Sequence, residues 1–238
     1  MKAPSAIAMA GANSSTRKKT KSGTRPTSWA PTTEAPRTAA SPPPLNGIGM
    51  FIHADLHVHI GKSSSGRAVK ITAAHDLTFE NIALECADRK GIGLVGVVDC
   101  ASPPVIADID ALVDSGEMVA LSGGGLRYRD QVTVILGAEF ETREPQGGMS
   151  HHVSYFPDLA CLKDFSETIG RHVTNRELSS QACGLPARAI QQLCADCGGT
   201  FVPAHCFTPH KSVYGSASRR AAELFGDAWD SIPAIELG

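Results

Sequence analysis

From residue 50 onward this sequence predicts a parallel α/β fold of the barrel kind, and three observations carry that expectation. Strand-like and helix-like stretches alternate, with helices of the length that crossover connections need. Two of the strand-like runs, "GLVGVVD" and "VILGAE", are almost continuously apolar, as in parallel strands covered on both faces. Acids and histidines gather where strands end, the rim on which parallel α/β folds build their sites.

In chain order, strands are expected at 51–58, 92–99, 131–141, "HHVSYFP", 200–206 and 232–238. Helices are expected between them at 78–91, 103–116, 159–171, 186–199 and 217–227. In the first helix Phe79, Ile82, Ala83, Cys86 and Ala87 recur at helical spacing, and Gly91 follows Arg89 and Lys90 as a stop. Pro186 stands where a helix begins.

Residues 1–49 differ in kind. Rich in Ser, Thr, Pro and basic residues and without an apolar period, they cannot bury enough surface to offset chain ordering, and are expected to be disordered. A basic DNA-anchoring arm, a transit-like sequence, or an upstream extension before a start at Met50 all fit this composition. Seven of the 22 Lys/Arg and one of the 24 Asp/Glu lie in this stretch, so the body from 50 to 238 carries a formal charge of -8. Such a body is unlike a generic nucleic-acid binder, although carboxylates that hold cations count as negative until the cations are added. No apolar run approaches the ~20 residues of a membrane span. Seven cysteines, an odd number in a chain of this size, suit a reducing cytoplasm.

The chemistry begins at "ADLHVHIG". Side chains two apart in a strand share a face, so Asp55, His57 and His59 are expected together, opposite Leu56, Val58 and Ile60. An exposed polar face of an edge strand would look the same, but a carboxylate and two imidazoles aimed at one spot suit a divalent metal. Asp99, Glu139 and Glu141 close later strands, His151 and His152 open one, and His205 follows "FVPA". Together they predict a His/Asp/Glu metal site.

"DLHVH", an Asp-ending apolar strand, "GAE", a His-led strand and "PAH", in that order, resemble the PHP (polymerase and histidinol phosphatase) metallo-phosphoesterase superfamily. More narrowly, "ADLHVHIGKSSSGRAVKIT", "GLVGVVDCASP", "SGGGLRYR", "HVSYFP", "PAHCFTPHKSVYG" and "AIELG" resemble the bacterial branch of endonuclease Q, from about Met50 to Gly238. The resemblance implies a distorted (β/α)7 barrel holding two or three divalent ions (Mg, Mn or Zn). It implies a hydrolase that cuts a DNA strand on the 5′ side of deaminated bases (uracil, hypoxanthine, xanthine) or abasic sites. It implies that His57, His59, Asp99, Glu139, His151 and His205 are metal ligands, with Glu139 bridging and Asp99 and Glu139 catalytic. Two places depart from the superfamily pattern: Cys100, a competent soft ligand, stands where a His often follows the Asp, and only "KSSSG" follows the first motif. The strand "IPAIELG" resembles the one before the superfamily's last metal-binding acid, and the zinc-binding and helical parts of endonuclease Q are absent, so an incomplete barrel is expected.

Around the site, Arg67 in "GKSSSGR" and Lys211 are candidates for the DNA backbone, and Tyr214 for stacking on a base. A plain surface loop explains 207–215 equally well. The lone Cys194-x-x-Cys197 is expected on a helix face, His75, His172 and His210 in solvent, and "SGGGLRYR" in a turn. Two other readings stay open: a PHP phosphoesterase acting on a small phosphate ester or nucleotide, and a truncated fragment without activity.

Overall fold

The computed structural model describes residues 51–238; the expected tail, 1–49, lies outside the described residues. Strand β1 (His53–Val58) leads through a long loop to α1 (Phe79–Glu85), whose N-cap Thr78 accepts the Asn81 amide at 3.2 Å. The helix runs into a wide turn, Cys86–Lys90, which Gly91 closes with φ 62°, its amide donating to Cys86 O. The left-handed φ is the reason a glycine serves there. β2 (Ile92–Val97) then enters the core and passes to α2 (Pro103–Asp114), with two prolines in its first turn.

A short hairpin follows, β3 (Met118–Ala120) and β4 (Leu126–Tyr128), before the long strand β5 (Val132–Arg143). β6 (Met149–Phe156) returns beside it, α3 (Leu159–Ile169) is capped by the Asp158 carboxylate on the Cys161 amide, and β7 (Ala182–Cys183) adds two residues. α4 (Ala187–Asp196), β8 (Thr200–Pro203) and the one-turn α5 (Ala221–Phe225) complete the set.

β5 is the spine of one eight-stranded sheet. β1, β2 and β5 are parallel, whereas β6 pairs antiparallel with β5, and β8 antiparallel with β6. β4 also lies antiparallel on β5. The all-parallel expectation is therefore corrected to a mixed sheet. Only five residues, 144–148, join β5 to β6, too few for the crossover that a parallel neighbour requires. The sheet is not closed into a barrel by its ladders. Residues 232–238 form no ladder strand, but Glu236 exchanges backbone hydrogen bonds with Pro203 and Cys206, which lays this segment against the end of β8.

The core is aliphatic and aromatic. Val95, Val97, Val105, Ile109, Leu136, Phe156, Phe165 and Ile169 are buried between the sheet and helices α2 and α3. β1 and β2 approach so closely that a Cβ on Gly96 would stand 2.4 Å from Leu56 O. The tight pairing fixes the height of the β1 and β2 ends, from which the polar residues project.

Candidate metal centre

Glu139 sits at the middle of the site. Its amide donates to Val98 O (2.7 Å), and its carboxylate is almost wholly buried. Four imidazoles surround it: His57 Nε2 at 3.4 Å, His151 Nδ1 at 3.0 Å and His205 Nε2 at 3.7 Å from Oε1, and His59 Nε2 at 3.6 Å from Oε2. Donor atoms of His57, His59 and Glu139 lie close enough for one ion, and so do those of Glu139, His151 and His205. Glu139 belongs to both sets.

The outer partners set the tautomers. His59 Nδ1 meets both Asp99 oxygens at 3.0 and 3.1 Å, and His57 Nδ1 meets Glu236 Oε2 at 2.9 Å. His205 Nδ1 meets Thr208 Oγ1 at 3.1 Å. With Nδ1 engaged in each ring, Nε2 is the nitrogen turned inward toward a metal, which for His57 and His59 is the carboxylate–histidine arrangement of metal sites. His151 turns Nδ1 to Glu139, and its Nε2, 3.5 Å from Glu141 Oε2, is buried without a hydrogen-bond partner. The donor set, imidazole nitrogen with a shared carboxylate, fits one or two divalent ions.

Burial works against the charge of His57, but its bonds to Glu139 and Glu236 outweigh that and raise its pKa to about 9. Burial would likewise raise Glu139, yet the hydrogen bonds from His151, His205 and His57 hold it far below the usual carboxylate range.

The expected residues divide as follows. His57, His59, Glu139, His151 and His205 come together. Asp99 stands behind His59 and accepts the Ile60 amide at 2.6 Å, so it orients a histidine and is outside both donor sets. Asp55 does not share the face of His57. A bulge between Asp55 and Val58 sets three steps of β1 against two of β2, turning Asp55 toward the cavity lined by Val58, Ile82 and Cys86. His152 is buried with Nε2 on Ser150 Oγ (2.8 Å) and its ring stacked on Phe201, and burial lowers its pKa to about 3. Cys100 is fully buried, its thiol pushed upward by desolvation and donating to Val97 O at 3.1 Å; it faces the core, not the metal centre.

Lys211 Nζ pairs with Glu141 Oε2 (2.9 Å) beside His151, and Tyr214 stacks on exposed Phe207 at 5.0 Å. Arg67 instead pairs with Glu177 at 2.9 Å. His75, His172 and His210 are exposed. Cys194 is buried on α4 and Cys197 ends it. All seven cysteines are free, and among the described residues no helix is long and apolar enough to cross a membrane.

Three participants escaped the sequence reading. Glu236 supports both His57 and the His205 amide (3.1 Å), and "AIELG" carried the only hint of it. Lys70 Nζ approaches His59 Nε2 at 2.7 Å, and Ser180 Oγ donates to Glu139 Oε2 at 2.5 Å. Lys70 lies within the quoted string "ADLHVHIGKSSSGRAVKIT" but at no ligand spacing, and Ser180 stands in none of the quoted strings.

No protein-family model matches the chain. It is 43% identical over 189 residues to the uncharacterized protein YqxK of Bacillus subtilis (strain 168), an alignment covering 79% of this chain and 48% of that protein. The chain thus spans about half the length of the curated relative it matches. Among solved structures it is similar to the lesion-specific endonuclease PfuEndoQ from Pyrococcus furiosus, with TM-score 0.64, 27% identity, and coverage of 79% of this chain and 42% of the other. An endonuclease Q in complex with a 27-mer duplex carrying an abasic lesion at the active site gives TM-score 0.63 and 27% identity over 79% and 43% of the two chains. Shared fold, shared sequence and motif order together support the endonuclease Q family for this chain.

Proposed function

We propose that this chain carries the metal centre of a DNA-repair endonuclease, which hydrolyses a phosphodiester on the 5′ side of a deaminated base (uracil, hypoxanthine or xanthine) or an abasic site. The single observation that carries the reading is the buried Glu139 carboxylate shared by two histidine donor sets, with Asp99 and Glu236 holding the outer nitrogens. A shared carboxylate of this kind suits a two-metal phosphodiesterase, and the similar structure with an abasic duplex supports DNA as the substrate. The PHP-type (β/α)7 barrel belongs to the same proposal.

His57 and His59 with Glu139 would hold one divalent ion (Mg, Mn or Zn), and His151 and His205 with Glu139 a second. Such ions supply Lewis-acid stabilisation of phosphate charge and a water of lowered pKa. The remaining work falls to the chain. Asp99 and Glu236 hold Nδ1 of two imidazoles and fix their rotation, so that Nε2 faces inward. Lys211, paired with Glu141 beside His151, would meet a phosphate, Arg67 the backbone further out, and the Phe207–Tyr214 stack would offer a face to an unstacked base.

Strand nicking tests this. End-labelled duplexes bearing one deoxyuridine or one abasic site are incubated with Mg²⁺ or Mn²⁺, beside undamaged and EDTA controls. A metal-dependent nick 5′ to the lesion is expected; equal cutting of undamaged DNA, or none with metal bound, would overturn the assignment. The acidic body favours a second reading, a phosphoesterase for small phosphate esters or nucleotides, and faster release of phosphate from a nucleotide monoester than nicking of damaged DNA would establish it.

A further inference from the structure

The first donor set already holds a cation of the protein's own. Lys70 lies in the loop between β1 and α1; its side chain is about three-quarters buried, and its ammonium reaches three acceptors: His59 Nε2 at 2.7 Å, Ser180 Oγ at 3.1 Å and Glu139 Oε2 at 3.6 Å. Asp99 engages His59 Nδ1, so the nitrogen that Lys70 meets is the one carrying the lone pair. An ion bound by His57, His59 and Glu139 needs that same lone pair and the same carboxylate. A divalent ion and an ammonium cannot share them, because like charges this close in a buried site repel strongly. The second set is built differently. Among the described residues no lysine or arginine stands on the inward nitrogens of His151 and His205; Lys211 pairs with Glu141.

We propose that Lys70 is an internal counter-cation which closes the His57/His59/Glu139 set in the metal-free protein and must withdraw before an ion enters, so that the Glu139/His151/His205 set fills first. The inference rests on the reading that both sets bind divalent ions. The loop can supply the movement: its residues 71–76 are largely exposed, and among the described residues the ammonium is tethered through Ser180, His59 and Glu139. Once displaced, the ammonium stands at the rim of the site, where an incoming phosphate lies.

Calorimetric titration of the chelator-treated chain with Mn²⁺ alone tests this without relying on activity. The wild type should show two unequal steps. Lys70→Met should tighten the weaker step at least tenfold and leave the stronger unchanged, and Lys70→Gln should do the same. Mn²⁺-induced increases in Tm, measured on each variant, guard against a loss of fold. A weaker step that is unchanged or further weakened in both folded variants would overturn the Lys70 inference while leaving the metal centre standing. No Mn²⁺ binding by the folded wild type would overturn the metal centre itself.

Discussion

Replacing Glu139 by Gln should abolish both metal sites at once, while replacing a histidine should abolish one. The amide keeps the side chain's shape, and its Oε1 can still accept the Ser180 hydroxyl, so the buried cluster should remain folded. What is lost is the one anionic donor common to both sets. Outer partners of metal-ligating histidines are worth about 10–100-fold in affinity, and a direct anionic ligand should be worth at least the upper figure, about 100-fold, for each ion. At about 1.4 kcal/mol per decade the two losses come to roughly 5.5 kcal/mol of binding free energy, against about 2.7 kcal/mol for a variant that empties a single set. Mn²⁺ titration provides the assay. The wild type should bind two ions, His57→Gln and His205→Gln one each in opposite sets, and Glu139→Gln none at wild-type affinity. Nicking by Glu139→Gln should fall by at least about 1,000-fold, in line with the loss of metal-assisted chemistry. A Glu139→Gln chain that keeps one ion at wild-type affinity would refute the sharing of the carboxylate, and so would a His205→Gln chain that loses both.

Other expectations follow from the same geometry. Asp99→Asn leaves the Ile60 contact an acceptor but weakens the hold on His59 Nδ1, and should cost about 10–100-fold in affinity for the His57/His59 ion alone, read by the same titration. Lys211→Ala should weaken DNA binding and reduce the slope of log K against log salt by about 1; an unchanged slope in binding isotherms at several salt concentrations would remove Lys211 from the interface. His152 gives the metal-free fold a pH dependence. Burial first, then the charge of His151, lowers its pKa from 6.5 to about 3, so below pH 6.5 the unfolded chain takes up a proton that the folded chain refuses. Its contribution is complete above pH 6.5 and fades as pH falls toward 3, with a loss of about 2 kcal/mol by pH 5. Urea unfolding in EDTA at pH 7.5 and 5 would measure it, and His152→Gln should remove that part of the slope.

By itself the sequence determined the alternation of strands and helices, the burial of the C-terminal parts of β2 and β5 on both faces, and the residues of the metal cluster that carry motif signals. These are local properties: a period of two or 3.6, a Pro or Gly at an end, a His two residues from a His. Where the local rule failed, an interaction with a neighbouring strand decided. Asp55 obeys the alternation on paper, but pairing against β2 inserts a bulge that turns it away, and Asp99 from the next strand takes its place behind His59. The direction of β6 was legible in principle from the short 144–148 connection, whereas β3 and β4 are three residues each, too short for any period to register. Glu236 meets His57 across 179 positions of chain, and Lys70 meets Ser180 across 110. Such partners answer to no spacing, because their requirement is that a folded sheet bring donor to acceptor in a partly buried place.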